Sequence, residues 1–198
     1  MTEIRYTLLA EGWAEEGCIP QLAAQLEPRF RWVKSKFQLI GKSKRNKAGK
    51  SRVIGRLPSV AEASLLQNRE DLILAGIDLD QPDYTLEDAW KHASDMLRSQ
   101  ISHRVQPERV VIFIPVQAID YWMLYLHDPS MAANSAESWD KDRVKKAVYG
   151  RNQDGTSVKR RAAELASQED AAAVLIKKSK SFSAFASALR SGVRSIDR

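Results

Sequence analysis

Several carboxylates fall where apolar runs end. Glu11 follows Ile4-Arg5-Tyr6-Thr7-Leu8-Leu9-Ala10 and is itself followed by Gly12. Asp78 and Asp80 follow Asp71-Leu72-Ile73-Leu74-Ala75-Gly76-Ile77. Glu15 and Glu16 lie just after Gly12, and Asp120 comes shortly after a third run, Arg109 to Ile114. Side chains two apart on an extended chain point to the same side, so Asp78 and Asp80 can aim at one ion. Carboxylates with no Cys or His beside them suit a hard cation, Mg²⁺ or Mn²⁺. Two such ions ~3.5–4 Å apart serve phosphodiester hydrolysis, one beside the attacking water and one beside the leaving oxygen. Glu11 or Glu15 would take the water's proton. A Lys or Arg would offset charge on the phosphate, and Lys145, Lys146, Arg151 and the segment Lys42 to Arg56 are all placed to supply one. Each acid also has a plainer use. Aspartates end strands as turn formers, Glu15 and Glu16 complement a helix dipole, and Asp120 can cap the helix after it.

The elements that must carry these acids follow from periodicity. Strands are expected at 4–10, 30–40, 71–77 and 109–114. Helices are expected at 13–26, 58–68, 85–102, 118–126, 139–149, 156–167, 169–176 and 181–191, with Pro58 near the first turn of its helix and Asp83 or Thr85 as a cap. The glycine-containing segment Gly41 to Arg56 reads as an exposed loop or hairpin tip. Strands alternating with helices imply crossovers and an α/β fold with a mostly parallel four-stranded sheet. Continuous apolar runs at 72–77 and 110–114 fit central strands covered on both faces. Ligands of such sheets gather at the carboxyl ends of the strands, where these acids lie. The expected division is an α/β domain over 1–126 and a basic helical extension over 127–198 packed on it.

The chain has 198 residues and a net charge of +6, unevenly spread. Lys141 to Arg198 holds 14 Lys/Arg against 6 Asp/Glu, while the first 140 residues hold 17 against 19. A second basic block carries Lys42, Lys44, Arg45, Lys47, Lys50, Arg52 and Arg56 with no acid. Clustered positive charge on an otherwise acidic body points to a polyanionic partner, nucleic acid. One cysteine, Cys18, excludes an internal disulfide and a Cys-based zinc site. With no secretory pattern at residues 1–6 and no bilayer-length apolar run, the expected location is the cytoplasm, with no membrane partner. His92, His103 and His127 show no ligand spacing, and Trp13 is the one tryptophan expected beside the acids.

Three stretches together resemble a known family. Leu8-Leu9-Ala10-Glu11-Gly12, with Glu15 after it, and Ile73-Leu74-Ala75-Gly76-Ile77-Asp78-Leu79-Asp80 resemble the two motifs of the Toprim fold, the metal-binding catalytic domain of topoisomerases, bacterial primases and overcoming-lysogenization-defect nucleases. Ile114-Pro115-Val116-Gln117-Ala118-Ile119-Asp120-Tyr121-Trp122-Met123-Leu124 is similar to the Gln-x-x-acid-x-Trp-x-Leu segment of small stand-alone Toprim-like proteins, often encoded beside ATPases in prokaryotic defence loci. Lys145-Lys146-Ala147-Val148-Tyr149-Gly150 and Lys177 to Leu189 are similar to that family's tail. The resemblance implies a Mg²⁺- or Mn²⁺-dependent endonuclease working with a partner ATPase. It makes Glu11, Asp78 and Asp80 the central metal ligands and Glu15 the second acid of the nuclease branch. Asp120 stands where that family usually shows Glu. Asp is one methylene shorter, which leaves direct and water-mediated metal contact both open. The alternative implied is a regulatory nucleic-acid-binding subunit of an ATPase complex. Lys42, Lys44, Arg45, Lys47, Lys50, Arg52, Lys145 and Lys146 are the expected nucleic-acid contacts.

Other uses of an Asp-x-Asp pair fit less well. A haloacid-dehalogenase-type phosphatase places it on the first strand, where this chain offers Glu11-Gly12. A glycosyltransferase would need a nucleotide-sugar domain for which the chain is short. Gly41-Lys42-Ser43 lacks the upstream glycine of a P-loop.

Overall fold

A computed structural model describes residues 1–39, 50–81, 86–151 and 153–196. Four parallel strands form one sheet in the order β2-β1-β3-β4: β1 is Thr2–Ala10, β2 is Phe30–Leu39, β3 is Leu72–Gly76 and β4 is Val110–Phe113. The α/β class and the parallel sheet are as expected, and every pairing is parallel.

Side chains alternate between two buried faces. Ile4, Tyr6, Leu8, Leu72, Leu74, Val111 and Phe113 enter one core. Leu9, Ile73, Ala75, Val110 and Ile112 enter the other. The second face is covered by α2 (Lys50–Glu62) and α3 (Leu86–Ser99), through Val53, Leu57, Ala61, Ala93 and Leu97. The first is covered by α1 (Trp13–Leu26), α4 (Ile119–His127), α5 (Lys141–Tyr149), α6 (Gly155–Ala166), α7 (Ala171–Lys178) and α8 (Lys180–Ile196). Trp122 of α4 packs against Phe182 and Phe185 of α8, with ring centroids 5.0 and 6.0 Å apart. The helices after residue 126 thus share a core with the sheet.

One expectation fails at α2. Residues 50–56 are helical rather than part of a loop, and Pro58 lies inside the helix instead of near its start. Val53, Leu57, Ala61 and Leu65 are buried at four-residue steps, so burial of that stripe outweighs the missing proline N–H. Gly41, Gly49 and Gly55 among the basic residues are what give this segment the look of a loop. A turn with π-helical pairing, Ala63–Gln67, continues α2.

The topology places the site. From β1 the chain runs to β2 on one side, and from β3 to β4 on the other. β1 and β3 are neighbours, with Leu9 opposite Ala75. The point between them, at their carboxyl ends, is where an open α/β sheet leaves a crevice for ligands.

Candidate functional site

Glu11 follows the last residue of β1, and Asp78 lies two residues beyond β3. The Asp78 backbone N–H donates to Glu11 Oε1 at 3.1 Å, which ties the two strand ends together. Asp78 Oδ1 accepts the Ile119 backbone N–H at 3.0 Å, so Asp78 caps α4 from outside. Glu15 sits in the first turn of α1, 4% exposed, and Asp120 in the first turn of α4, 6% exposed. Two helix N-termini therefore face the same place, and their dipoles favour negative charge there.

Glu11, Glu15, Asp78 and Asp120 line one cavity of about 190 Å³ with Gly12, Trp13, Lys145, Tyr149 and Gln153. Trp13 lies close over Gly155, where an added Cβ would come within 2.3 Å of the indole nitrogen. Only glycine admits the ring at that wall of the cavity.

The carboxyls crowd one another. Burial, then the charges of Asp120 and Glu11, push Glu15 up to about 7. Burial, then Glu15, Asp120 and Glu11, raise Asp78 well above the usual carboxylate range. Burial raises Glu11 and Asp120 as well, although the Asp78 N–H opposes it at Glu11 and Tyr149 and Lys145 oppose it at Asp120.

The counter-charges come from α5. Lys141 Nζ stands 3.0 Å from Asp80 Oδ1 and 3.8 Å from Asp78 Oδ2. Lys145 Nζ lies 3.8 Å from Asp120 Oδ2, and the Tyr149 hydroxyl donates to Asp120 Oδ1 at 2.8 Å. Lys141, Lys145 and Tyr149 are four residues apart, so they form one stripe of α5. Partial burial works against the Lys141 proton, but Asp78 and Asp80, and then Asp120, outweigh it and raise Lys141.

Of the residues singled out in the sequence, the structure brings Glu11, Glu15, Asp78, Asp120, Trp13 and Lys145 around one cavity. Asp80 is not among them. Asp80 has φ 60°, beyond the end of β3, so the rule for extended chains does not apply to it. It does not line the cavity and pairs with Lys141 at its edge. Gln117, hydrogen-bonded to the Asp80 N–H through its carbonyl, is left-handed too. Lys50 donates to the Leu79 carbonyl at 3.3 Å. Arg52, Lys146 and Arg151 are exposed and line no part of the cavity. Lys42, Lys44, Arg45 and Lys47 lie outside the described residues, as do Asp83 and Thr85. His92 and His103 are exposed, and His127 Nδ1 lies 3.2 Å from Arg161. Sequence reasoning missed Lys141 and Tyr149. Their four-residue steps from Lys145 were the available signal.

In donor type alone, the oxygens of the cavity are those a hard divalent cation takes. The cavity offers oxygen donors from four acids, and their mutual repulsion is what such an ion would relieve. Among the described residues no group of three or more His, Cys, Asp or Glu side chains is placed so that it could hold a metal ion as it stands. The donors share a cavity without converging on one point. Among the described residues no helix is long and apolar enough to cross a membrane. No family model, curated protein or solved structure matches the chain.

Proposed function

We propose that the chain is a metal-dependent nuclease of Toprim type that hydrolyses phosphodiesters in DNA or RNA. The observation that carries this reading is the meeting of Glu11, Glu15, Asp78 and Asp120 at the β1/β3 crevice, with lysines at its edge. Glu11 and Asp78, with Asp120 beside them, would hold Mg²⁺ or Mn²⁺, and Asp80 would join them on leaving Lys141. The bound ion supplies Lewis-acid polarisation of the phosphate and of water.

The chain's own groups then have distinct tasks. Glu15, buried in the cavity wall beside Glu11 and Asp120, is placed to take a proton from water. Lys145 and Lys141 offset negative charge on the phosphate oxygens. The Tyr149 hydroxyl fixes the rotamer of Asp120. Trp13 walls the cavity.

The resemblance to proteins encoded beside ATPases supports an ATPase partner, and the lone buried Cys18 fits action in the reducing cytoplasm. One observation favours the second reading, a regulatory nucleic-acid-binding subunit: Asp80 is bound to Lys141 rather than turned into the cavity. Cleavage of labelled DNA and RNA separates the two. The assay uses Mg²⁺ and Mn²⁺, and the chain both alone and with the product of any neighbouring ATPase gene. The nuclease reading expects cleavage in at least one preparation and its loss in Asp78→Asn. Cleavage in neither preparation favours the regulatory subunit.

A further inference from the structure

Glu16 has no part in the carboxylate cavity, but it follows Glu15, which lines the cavity, and it too is buried. Its side chain is only 8% exposed, and both its partners are lysines. Lys34 of β2 donates to Glu16 Oε1 at 3.0 Å, and Lys159 of α6 donates to the same oxygen at 2.8 Å. Burial opposes its ionisation, but the hydrogen bonds from Lys159 and Lys34 outweigh that and hold its carboxyl below the usual range. The group is therefore an anion with two ammoniums on one oxygen.

The backbone fixes where those ammoniums stand. α1 and α6 cross at Gly17, where an added Cβ would lie 2.2 Å from the Lys159 carbonyl oxygen. Gly17 is next to Glu16, so the close crossing holds Lys159 over it. On the other side in the chain, Glu15 and Val158 both line the carboxylate cavity. The lysine pair is thus built onto the same two helices as the cavity wall. The lysine side chains are 34% and 41% exposed, in contrast to the buried acid between them. An ammonium has three N–H donors, and Glu16 Oε1 takes one from each. Within the triad two ammoniums stand against one carboxylate, and both lysine side chains reach solvent.

We propose that Lys34 and Lys159, held together by Glu16, form a subsite for a backbone phosphate of the nucleic-acid strand that enters the carboxylate cavity. This rests on the nuclease reading for the identity of the strand. Glu16 is a positioning residue here. It holds two flexible ammoniums near one point, so less side-chain freedom is lost when a phosphate arrives.

The test is the salt dependence of binding to labelled duplex DNA and duplex RNA, with EDTA present to prevent cleavage. Lys34→Met and Lys159→Met should each lower the slope of log affinity against log salt by up to about 0.9, the value for one lost duplex-phosphate contact. Glu16→Gln keeps both lysines and adds one positive charge, so bulk electrostatics alone would tighten binding. The subsite requires the opposite, weaker binding, because the pair is no longer held. Thermal melting of each variant is read in parallel. Unchanged slopes with lowered melting temperatures would make the triad a structural tie between β2 and α6 and overturn the subsite, as would tighter binding by Glu16→Gln. Those results leave the nuclease reading standing. A wild-type chain that binds neither duplex overturns the nucleic-acid reading and the subsite together.

Discussion

At the scale of single residues, Asp78 is the pivot. It receives α4's first N–H, gives its own N–H to Glu11 and faces Lys141. Asp78→Asn removes a charge but keeps the shape and the oxygen that caps α4. Cleavage should fall by about a hundredfold or more, since even groups supporting metal ligands are worth tenfold to a hundredfold. The melting temperature of the metal-free protein should hold or rise as repulsion is relieved. Glu15 sets a pH dependence. Asp120 of α4, Glu11 and Asp78 from the strand ends and Lys145 of α5 act on it, with Cys18 and Tyr149 nearby. Its folded pKa is raised, so its contribution to stability is present below the ordinary glutamate value of about 4.3. That contribution is lost as pH rises towards about 7. In EDTA, melting temperature should therefore fall between those limits, and Glu15→Gln should flatten the curve. An identical pH profile in the variant would show that Glu15 does not carry the shift. The acids were legible in sequence because each follows an apolar run. Asp80 was not, because nothing in Asp78-Leu79-Asp80 announces a left-handed backbone at its last residue.

At the scale of elements, α5 governs the charge of the site. Its stripe Lys141, Lys145 and Tyr149 meets Asp78, Asp80 and Asp120. A divalent ion must compete with Lys141 for the aspartates. Lys141→Met should raise Mn²⁺ affinity several-fold, corresponding to about 1 kcal/mol once the exposure of Lys141 is allowed for. It should also lower the melting temperature in EDTA. Weaker Mn²⁺ binding by this variant would mean that Lys141 supports the ion instead. The crossing of α1 and α6 makes a separate demand: Gly17→Ala should cost about 1–3 kcal/mol or more, measured by denaturant unfolding, since the new methyl meets backbone rather than a movable side chain. Strands and α1 were legible from period and flanking Pro and Gly. The start of α2 was hidden because its buried stripe, Val53, Leu57 and Ala61, is sparse between basic residues.

At the scale of the whole molecule, the topology explains why acids far apart in sequence meet. The reversal of direction between β1 and β3 opens the crevice, and α1 and α4 aim their N-termini into it. The helices after residue 126 complete the core on that face, with Trp122 fully buried among Phe182 and Phe185. Trp122→Ala should cost about 3–5 kcal/mol by denaturant unfolding. Lys145 was among several cations the sequence offered, and which of them reaches the sheet's acids depends on packing between distant segments. The measurement that bears most directly on the central claim is calorimetric titration of the chain with Mn²⁺ in the absence of nucleic acid. The account expects saturable binding in the wild type and its loss in Glu11→Gln and Asp78→Asn variants that melt normally. Equal binding by wild type and both variants, or none in the wild type, would contradict it.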